Sequence, residues 1–245
     1  MAGGRGREVI NAVRTAAAVL FLVGYIPLSA VIGFPWTFIT GNADVMYGLA
    51  MIGARMALRL AGIKVVTQGR EQLDPRQNFI FMCNHVSNVD PPVVIPALPG
   101  RTSVLVKKEL FRIPILGRAM RMASLVPVDR SNREAAIESI GRAAEVVKSG
   151  IHMTVFPEGT RSRDGRLLPF KKGPFHLAMD SGISIVPITV LDTFQMMPKG
   201  SPFIQGGEAR LVFHQPIDPK KFSDRESLTQ AVRQSIASAL PESSR

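Results

Sequence analysis

Apolar residues dominate the N-terminal part of the chain, where the first element is predicted. No charged residue occurs between Thr15 and Ala43. A helix of about 20 residues covers the roughly 30 Å hydrocarbon core of a bilayer, so this run is long enough to cross one. Pro27 and Pro35 complicate a continuous helix, because each removes a backbone donor and disfavours the helical conformation of the residue before it. The pattern predicts a membrane-associated helix and leaves open whether it crosses the bilayer or lies within it.

A second helix is predicted from a second apolar pattern. Between Val45 and Leu60, apolar residues recur at helical spacing on one face, while Arg55 and Arg59 fall on another. We therefore expect a membrane-docking helical segment at residues 1–61 and a separate domain at residues 62–245. Arginines ahead of the first helix favour a cytoplasmic N-terminus if that helix crosses. A cleaved signal peptide and a buried pair of core helices are the alternatives, although the apolar run continues past a plausible cleavage site.

Beyond Gly62 the pattern changes to short β-rich runs that alternate with helical stretches. Strands are predicted at Ile63–Gln68, Asn78–Cys83, Ser103–Lys107, Ser124–Val128, Ile151–Phe156, Ile183–Val190 and Glu208–Phe213. Two helices are marked by capping pairs, Ser131 with Glu134 and Ser223 with Glu226, each followed by apolar residues at helical spacing. The alternation predicts an α/β fold, with a mostly parallel central sheet flanked by helices.

Composition and charge narrow the classes of function. Of 245 residues, 46% are hydrophobic, and 30 Lys and Arg against 19 Asp and Glu give a net charge of +11. Most of this excess lies between Arg101 and Lys172, so a phosphorylated metabolite, an anionic membrane or nucleic acid is an expected partner. Two Tyr and one Trp offer few platforms for stacking bases, which argues against nucleic acid. The single Cys83 excludes an intramolecular disulfide, and four scattered histidines predict no metal site.

The stretch "FMCNHVSNVDPP" places a histidine and an acid just beyond a predicted strand. His85 and Asp90 are five residues apart, so on a helix they would point about 140° away from each other. They meet only if the chain between them turns back, and Ser87 and Asn88 favour such a turn. One interpretation is a general base held by a carboxylate. The other is structural, with Asp90 as a helix N-cap and Pro91 as the first helical residue.

A second candidate stretch, "FPEGTRSRDGRLLPFKKGPF", also follows a predicted strand. Gly159 and Thr160 can present backbone N–H groups to an anion, and Arg161 can bind a phosphate through two parallel hydrogen bonds. Glu158 can hold that arginine or bind a substrate hydroxyl. The alternative is a solvated basic loop with an internal Glu158–Arg161 ion pair.

Taken together, the motifs resemble those of a known family. His85 and Asp90 in an H-x4-D arrangement, followed about 70 residues later by "FPEGTRS", are similar to the motifs of the 1-acylglycerol-3-phosphate O-acyltransferases, members of the glycerolipid acyltransferase superfamily. Three further stretches resemble family blocks: "KKELFRIPILG" (Lys107–Gly117), "VPVDR" (Val126–Arg130) and "IVPITV" (Ile185–Val190). The second departs from the family pattern, because Pro127 and Val128 replace the more usual Phe-Ile.

The resemblance implies an enzyme on the cytoplasmic face of the cell membrane. It would move an acyl chain from acyl-CoA or acyl carrier protein, as co-substrate and without a cofactor, to the sn-2 hydroxyl of lysophosphatidate, giving phosphatidate. His85 would be the general base and Asp90 its partner. The implied acceptor-binding residues are Lys107, Arg130, Glu158, Gly159, Thr160 and Arg161. An acyltransferase for another lysolipid such as a lyso-ornithine lipid, a thioester hydrolase, and a non-catalytic protein that binds anionic lipid remain as alternatives.

Overall fold

A seven-stranded sheet with helices on both faces forms the body of the molecule. The structure, a computed structural model, describes residues 2–129 and 133–245. The strands are β1 (Ile63–Gln68), β2 (Ile80–Cys83), β3 (Thr102–Lys107), β4 (Val126–Val128), β5 (His152–Val155), β6 (Ile185–Leu191) and β7 (Gly207–Phe213). All seven strands predicted from the sequence are present, and their ends differ from the prediction by at most two residues.

Seven α-helices accompany these strands in the part of the chain that is described. They are α1 (Ala2–Thr40), α2 (Asp44–Leu60), α3 (Asp90–Val94), α4 (Pro114–Met122), α5 (Arg133–Lys148), α6 (Gly173–Ser181) and α7 (Arg225–Ser238). Helix α7 is capped by Asp224, whose side chain accepts from the Ser227 N–H, so the predicted Ser223 cap is wrong by one residue. The predicted Ser131 cap of α5 lies outside the described residues.

The strand order is β1-β7-β6-β2-β5-β3-β4. All neighbours run parallel except β6 and β7, which confirms a mostly parallel sheet. Strand β2 lies between β5 and β6, and these three strands run in the same direction. Their carboxyl ends therefore lie on one edge, and the loops that follow them are neighbours in space. Crevices beyond the carboxyl ends of such strands are where α/β sheets bind ligands.

Alternating side chains of the strands build two cores, one on each face of the sheet. On β2, Phe81 and Cys83 belong to the core covered by α2 and α3, whereas Ile80 and Met82 belong to the core covered by α5, α6 and α7. All four are fully buried. A strand buried on both faces reads as a continuous apolar run, which is why "FIFMC" shows no polar alternation.

The two predicted N-terminal helices are present and pack against each other. Helix α1 runs unbroken through Pro27 and Pro35, and its segment Glu8–Thr40 is long and apolar enough to cross a membrane, with a mean hydropathy of 2.2. The Tyr25 hydroxyl of α1 donates to the Leu49 carbonyl of α2 at 2.8 Å. Helix α2 continues across the sheet face, where the Tyr47 hydroxyl accepts from the Thr102 N–H at 3.2 Å. The helical pair is thus attached to the sheet.

Close contact between α1 and α2 requires the absence of a side chain at Gly53. A Cβ atom there would lie 2.5 Å from the Tyr25 ring, whereas a Cβ at Gly48 on the same helix would meet nothing within 4 Å. We expect Gly53→Ala to lower the unfolding midpoint in detergent, because displacing the Tyr25 ring costs about 1–3 kcal/mol. The matched Gly48→Ala should raise the midpoint, since Ala is favoured over Gly in helices by roughly 0.5–1 kcal/mol. Equal shifts in the two variants would contradict this packing.

Candidate active site

The loop that follows β2 begins with a side chain that fixes it to the neighbouring strand. Asn84 is buried, and its side chain makes two hydrogen bonds to the backbone of Val190 on β6, one donated at 3.0 Å and one accepted at 2.7 Å. The amide thus continues the pairing of β2 with β6 where backbone pairing ends. The position at which the chain leaves the sheet, directly before His85, is therefore fixed by these two bonds.

Asp90 closes the loop back onto His85. Its Oδ2 atom accepts from the N–H groups of Val86 at 2.8 Å and Ser87 at 2.7 Å, and lies 2.8 Å from His85 Nδ1. The side chain is completely buried, and its Oδ1 atom has no hydrogen-bond partner among residues 2–129 and 133–245. Asp90 is the first residue of α3, but its carboxylate binds the preceding loop, and α3 has no side-chain cap. The turn required for a His85–Asp90 pair is therefore present.

The hydrogen bond to Asp90 determines which nitrogen of His85 carries the proton. Because a carboxylate only accepts, Nδ1 donates and Nε2 keeps its lone pair in the neutral ring. No hydrogen-bond partner of Nε2 occurs in the described part of the chain, and the side chain retains 12% of its exposure. The ring stacks on Phe156 with centroids 4.3 Å apart. His85 thus presents a basic nitrogen, in a fixed orientation, at the surface of the loop.

Glu158 lies beneath this loop, and its predicted pairing with Arg161 or with a substrate hydroxyl is wrong. Its two carboxylate oxygens accept from backbone N–H groups, Oε1 from His85 at 2.6 Å and Oε2 from Leu168 at 2.9 Å. Only 1% of the residue is exposed. Burial raises the pKa of Glu158 to about 7, against the lowering effect of the two N–H donors. Glu158 is therefore a positioning residue that joins the His85 loop to the loop that follows β5.

The glycine of "PEGTR" shapes the turn but does not offer its N–H to a ligand. Gly159 has φ +71°, a left-handed conformation that favours glycine, and its N–H donates to the Phe156 carbonyl at 3.0 Å. A cradle of two free N–H groups, as predicted from the sequence, is therefore not formed. The Thr160 N–H has no acceptor within the described residues and remains for a ligand.

Arg161 lies directly beside the His85 loop, as the predicted site requires. Its guanidinium donates to the Asn88 side-chain carbonyl, and the next residue, Ser162, donates its N–H to the His85 carbonyl at 2.9 Å. These bonds join residues that are 73 and 77 positions apart. The role of Asn88 was not predicted, although it lies inside the quoted motif as a turn former. The two motifs are thus parts of one site.

A third loop, residues 192–206 after β6, completes the site. The Met197 carbonyl accepts from the Asn88 N–H at 3.0 Å and from the Ser87 hydroxyl at 2.9 Å. Lys199 reaches across to the Thr160 hydroxyl, with Nζ and Oγ1 separated by 3.4 Å. A second cation therefore lies near Arg161. No local pattern in "QMMPKG" indicates this, because the contact depends on β6 lying next to β2.

Lys107 is a predicted site residue that is not joined to this cluster. Lys107, at the end of β3, is largely exposed and pairs with Glu109 at 3.7 Å, and no contact with Arg161 is found in the described part of the chain. Arg130 lies outside the described residues. Their roles remain predictions. Within residues 2–129 and 133–245, no group of three His, Cys, Asp or Glu side chains is arranged to hold a metal ion.

Cys83, two residues before His85, is the other side chain in this stretch that could act as a nucleophile. It is completely buried, and burial together with the Asp90 charge raises the pKa of its thiol well above the ordinary value. A neutral, enclosed thiol is a poor nucleophile. The group that can do chemistry here is the His85 imidazole. It can remove a proton from a hydroxyl whose molecule also carries an anionic group bound near Arg161.

Comparisons with known proteins agree with this arrangement. A sequence profile described as Acyltransferase matches residues 64–191, more than half of the chain. The 1-acyl-sn-glycerol-3-phosphate acyltransferase of Cocos nucifera is 34% identical over 213 residues, which cover 85% of this chain and 68% of that protein. The 1-acyl-sn-glycerol-3-phosphate acyltransferase BAT2, chloroplastic, of Brassica napus is 36% identical over 179 residues, or 72% of this chain and 51% of that protein. The chain thus spans between about half and two thirds of the length of these plant relatives.

The fold has a solved counterpart of nearly the same extent. The crystal structure of the 1-acyl-sn-glycerophosphate (LPA) acyltransferase, PlsC, from Thermotoga maritima matches with a TM-score of 0.82 and 27% sequence identity, covering 95% of each chain. The profile, the relatives and this structure all agree with the resemblance inferred from the motifs. The chain therefore belongs to the acyltransferase family, among the relatives of the 1-acyl-sn-glycerol-3-phosphate acyltransferases.

Proposed function

We propose that the protein transfers an acyl chain from an acyl thioester to the free sn-2 hydroxyl of a 1-acylglycerol-3-phosphate, giving phosphatidate. One structural observation supports the proposal independently of the relatives. His85, oriented by Asp90, and Arg161, held by Asn88, belong to adjacent loops at the same edge of the sheet. A small alcohol that carries a phosphate matches this pair of groups, with a base for its hydroxyl and a cation for its anion.

The reaction balances with His85 as the only proton carrier. As the hydroxyl oxygen of the acceptor attacks the thioester carbonyl, its proton passes to His85 Nε2. The new C–O bond forms, the C–S bond breaks, and the leaving sulfur takes the proton from His85. Because a thiol has a pKa of about 8.5, the sulfur is already a good leaving group at neutral pH. Asp90 Oδ2 stabilises the transient imidazolium through Nδ1. No cofactor takes part in this scheme, and coenzyme A and acyl carrier protein both remain candidate donors.

The phosphate of the acceptor is assigned to Arg161, Lys199 and the Thr160 N–H. A guanidinium can bind a phosphate through two hydrogen bonds, which a single ammonium cannot. In the structure Arg161 is occupied by the neutral Asn88 amide, a partner that a phosphate can replace because it adds charge to the hydrogen bond. Lys107 and Arg130 remain predicted contributors to the same pocket.

Membrane association follows from the proposed substrates and from α1. Lysophosphatidate and phosphatidate carry acyl chains and reside in bilayers. The segment Glu8–Thr40 has the length and composition of a membrane-crossing helix, and 11% of its most apolar window is buried in the protein. We assign residues 1–61 to a membrane-docking segment and residues 62–245 to the catalytic domain, and the cytoplasmic face of the cell membrane is the expected location.

The direct test measures phosphatidate formed from labelled acyl-CoA and lysophosphatidate by wild type, Asp90→Asn, His85→Ala and the double variant. The amide oxygen of Asp90→Asn can still accept from the Val86 and Ser87 N–H groups, but it cannot stabilise an imidazolium. We expect kcat to fall by about 10²–10⁴-fold. In the His85→Ala background, Asp90→Asn should cause little further loss, because the carboxylate acts through the imidazole.

Thermal unfolding of the same four proteins is the control for folding. Multiplicative losses in the double variant would show that Asp90 acts independently of His85. Full activity in Asp90→Asn would remove the pair from the mechanism altogether. Release of free fatty acid at an equal rate without any acceptor would identify a thioester hydrolase instead.

Arg161→Ala tests the phosphate assignment. Because the contact is made to a group that does not react, we expect the variant to raise KM for lysophosphatidate about tenfold or more while changing kcat less. For a lysolipid without a phosphate, the variant and wild type should have the same KM. Arg163→Ala is the matched control, since Arg163 is exposed, carries the same charge and lies two residues away. If both variants behave alike, the effect is one of general charge, and the specific site is contradicted.

Glu158→Gln tests whether the buried carboxyl between the two loops makes the free energy of unfolding depend on pH. The pKa of Glu158 is about 7 in the folded protein and ordinarily 4.5. Its contribution to the free energy of unfolding is therefore fully present below pH 4.5 and is lost as the pH rises through 7. Glutamine cannot ionise. As the pH rises from 4.5 to 7, the free energy of unfolding of the variant should therefore fall by up to about 3 kcal/mol less than that of wild type.

The measurement is chemical denaturation of both proteins in detergent across this range of pH. Glu226→Gln, at an exposed position of α7, matches the change of charge at the surface. An identical change of slope in both variants would show that the pH dependence does not arise from Glu158.

A further inference from the structure

Outside the two N-terminal helices, exposed large hydrophobic side chains are rare in the part of the chain that is described. There are four, and three lie within six residues of each other: Leu110, Ile113 and Ile115, with 41%, 46% and 43% exposure, the fourth being Phe203. They belong to a 3-10 turn (Lys108–Arg112) followed by α4. We call residues 108–122 the basic hook. Exposed apolar side chains that cluster in this way form a candidate interaction surface.

The basic hook is anchored on its inner side by buried side chains and hydrogen bonds, so the three apolar side chains are held outward by its fold. Phe111 and Met120 are buried beneath it, and the Gly117 N–H donates to the Ile113 carbonyl at 2.6 Å. The Arg121 guanidinium donates to the Phe111 carbonyl at 3.2 Å. Gly117 packs directly against the backbone of Phe111, where a side chain would not fit. The inward side is therefore closely packed, while Leu110, Ile113 and Ile115 keep 41%, 46% and 43% of their exposure.

Charge at the basic hook is strongly positive. Residues 108–122 contain four Lys or Arg and one acid, Glu109, which pairs with Lys107 just before the hook. Lys108 is paired with Asp129. Arg112 and Arg118 are exposed and have no acidic partner within residues 2–129 and 133–245. Exposed apolar side chains next to unpaired arginines are the combination that binds the headgroup boundary of an anionic bilayer.

The position of the basic hook favours a bilayer over an acidic protein. It begins at the carboxyl end of β3, the edge of the sheet that also carries His85. Helix α4 packs against α1, the helix with the composition of a membrane span. Because the basic hook contacts α1, a membrane that α1 enters lies close to this apolar and basic surface.

We propose that the basic hook is a second membrane-contact element, which inserts Leu110, Ile113 and Ile115 among anionic lipids and binds their phosphates with Arg112 and Arg118. It holds the active-site edge of the sheet against the bilayer surface, in addition to the attachment by α1. The proposal rests on the membrane association of α1 proposed above. It does not depend on which lysolipid is the acceptor.

Depth-dependent fluorescence quenching tests the contact on the full-length protein. Trp36 is the only tryptophan, so Trp36→Phe provides a silent background. Ile113→Trp in this background, reconstituted into phosphatidylglycerol vesicles, should lose most of its fluorescence to lipids brominated near the headgroup. Gln230→Trp, at an exposed position of α7 on the face of the sheet opposite α1, should lose little. Equal quenching at the two positions would overturn the proposal.

An activity assay distinguishes contact with a bilayer from a catalytic role of the arginines and from contact with an acidic protein. Arg112→Glu combined with Arg118→Glu should lower phosphatidate formation in anionic vesicles by at least about tenfold, while activity in detergent micelles stays close to that of wild type. An equal loss in micelles would place the arginines in catalysis. A loss confined to acyl carrier protein as donor, with no quenching at Ile113→Trp, would identify an acidic protein as the partner. Either result contradicts a bilayer contact, and because the quenching assay requires no turnover, it remains decisive even if the proposed reaction is wrong.

Discussion

A single buried oxygen, Asp90 Oδ2, sets the conformation on which the site depends. Three donors converge on it, the Val86 and Ser87 N–H groups and His85 Nδ1. The two backbone bonds fold the five-residue spacing into a turn, and the third sets the tautomer of the imidazole. Charge-assisted hydrogen bonds to an ionised carboxylate are about twice as strong as neutral ones, so the same atom shapes the loop and, in the proposed mechanism, stabilises the charged form of the imidazole. Asp90 is therefore not the helix N-cap that the sequence offers as one alternative: it is the first residue of α3, and its carboxylate holds the preceding loop and the His85 ring.

Sheet topology explains why motifs so distant in sequence form one pocket. Strand β2 has β5 on one side and β6 on the other, and all three end at the same edge. The His85 loop is therefore bounded by the loop with Arg161 and the loop with Lys199. Glu158 strengthens this arrangement, because it accepts from the backbone of both of the first two loops. Burial of that carboxyl is the cost of joining them, and its raised pKa is the consequence.

Much of the fold was predictable, because buried strands and capped helices leave local patterns. Runs such as "IKVVTQ" and "IHMTVF" predicted their strands directly, and motifs that resemble those of a known family predicted that His85, Asp90 and Arg161 belong to one site. Contacts that depend on which strands are neighbours were not predictable. Nothing local indicates that Lys199 reaches Thr160, or that Asn88 holds Arg161. Glu158 was misassigned for a related reason: a carboxylate beside an arginine in sequence suggests an ion pair, but the strand end directs it inward to two backbone donors.

The loop at residues 192–206 connects helix α1 to the candidate site. At one end the Met197 carbonyl and Lys199 contact the site, and at the other the Ile204 N–H donates to the Thr15 hydroxyl of α1 at 2.8 Å. The Arg14 guanidinium packs between Gly62 and Gly206, positions where a side chain would displace it. Helix α1 is thus fixed to the sheet at the edge that carries the candidate site. In the proposed reaction, the loop that contacts α1 through Ile204 is therefore the same loop that supplies Lys199 for the acceptor phosphate, so the attachment of the helix and the proposed phosphate site share one structural element.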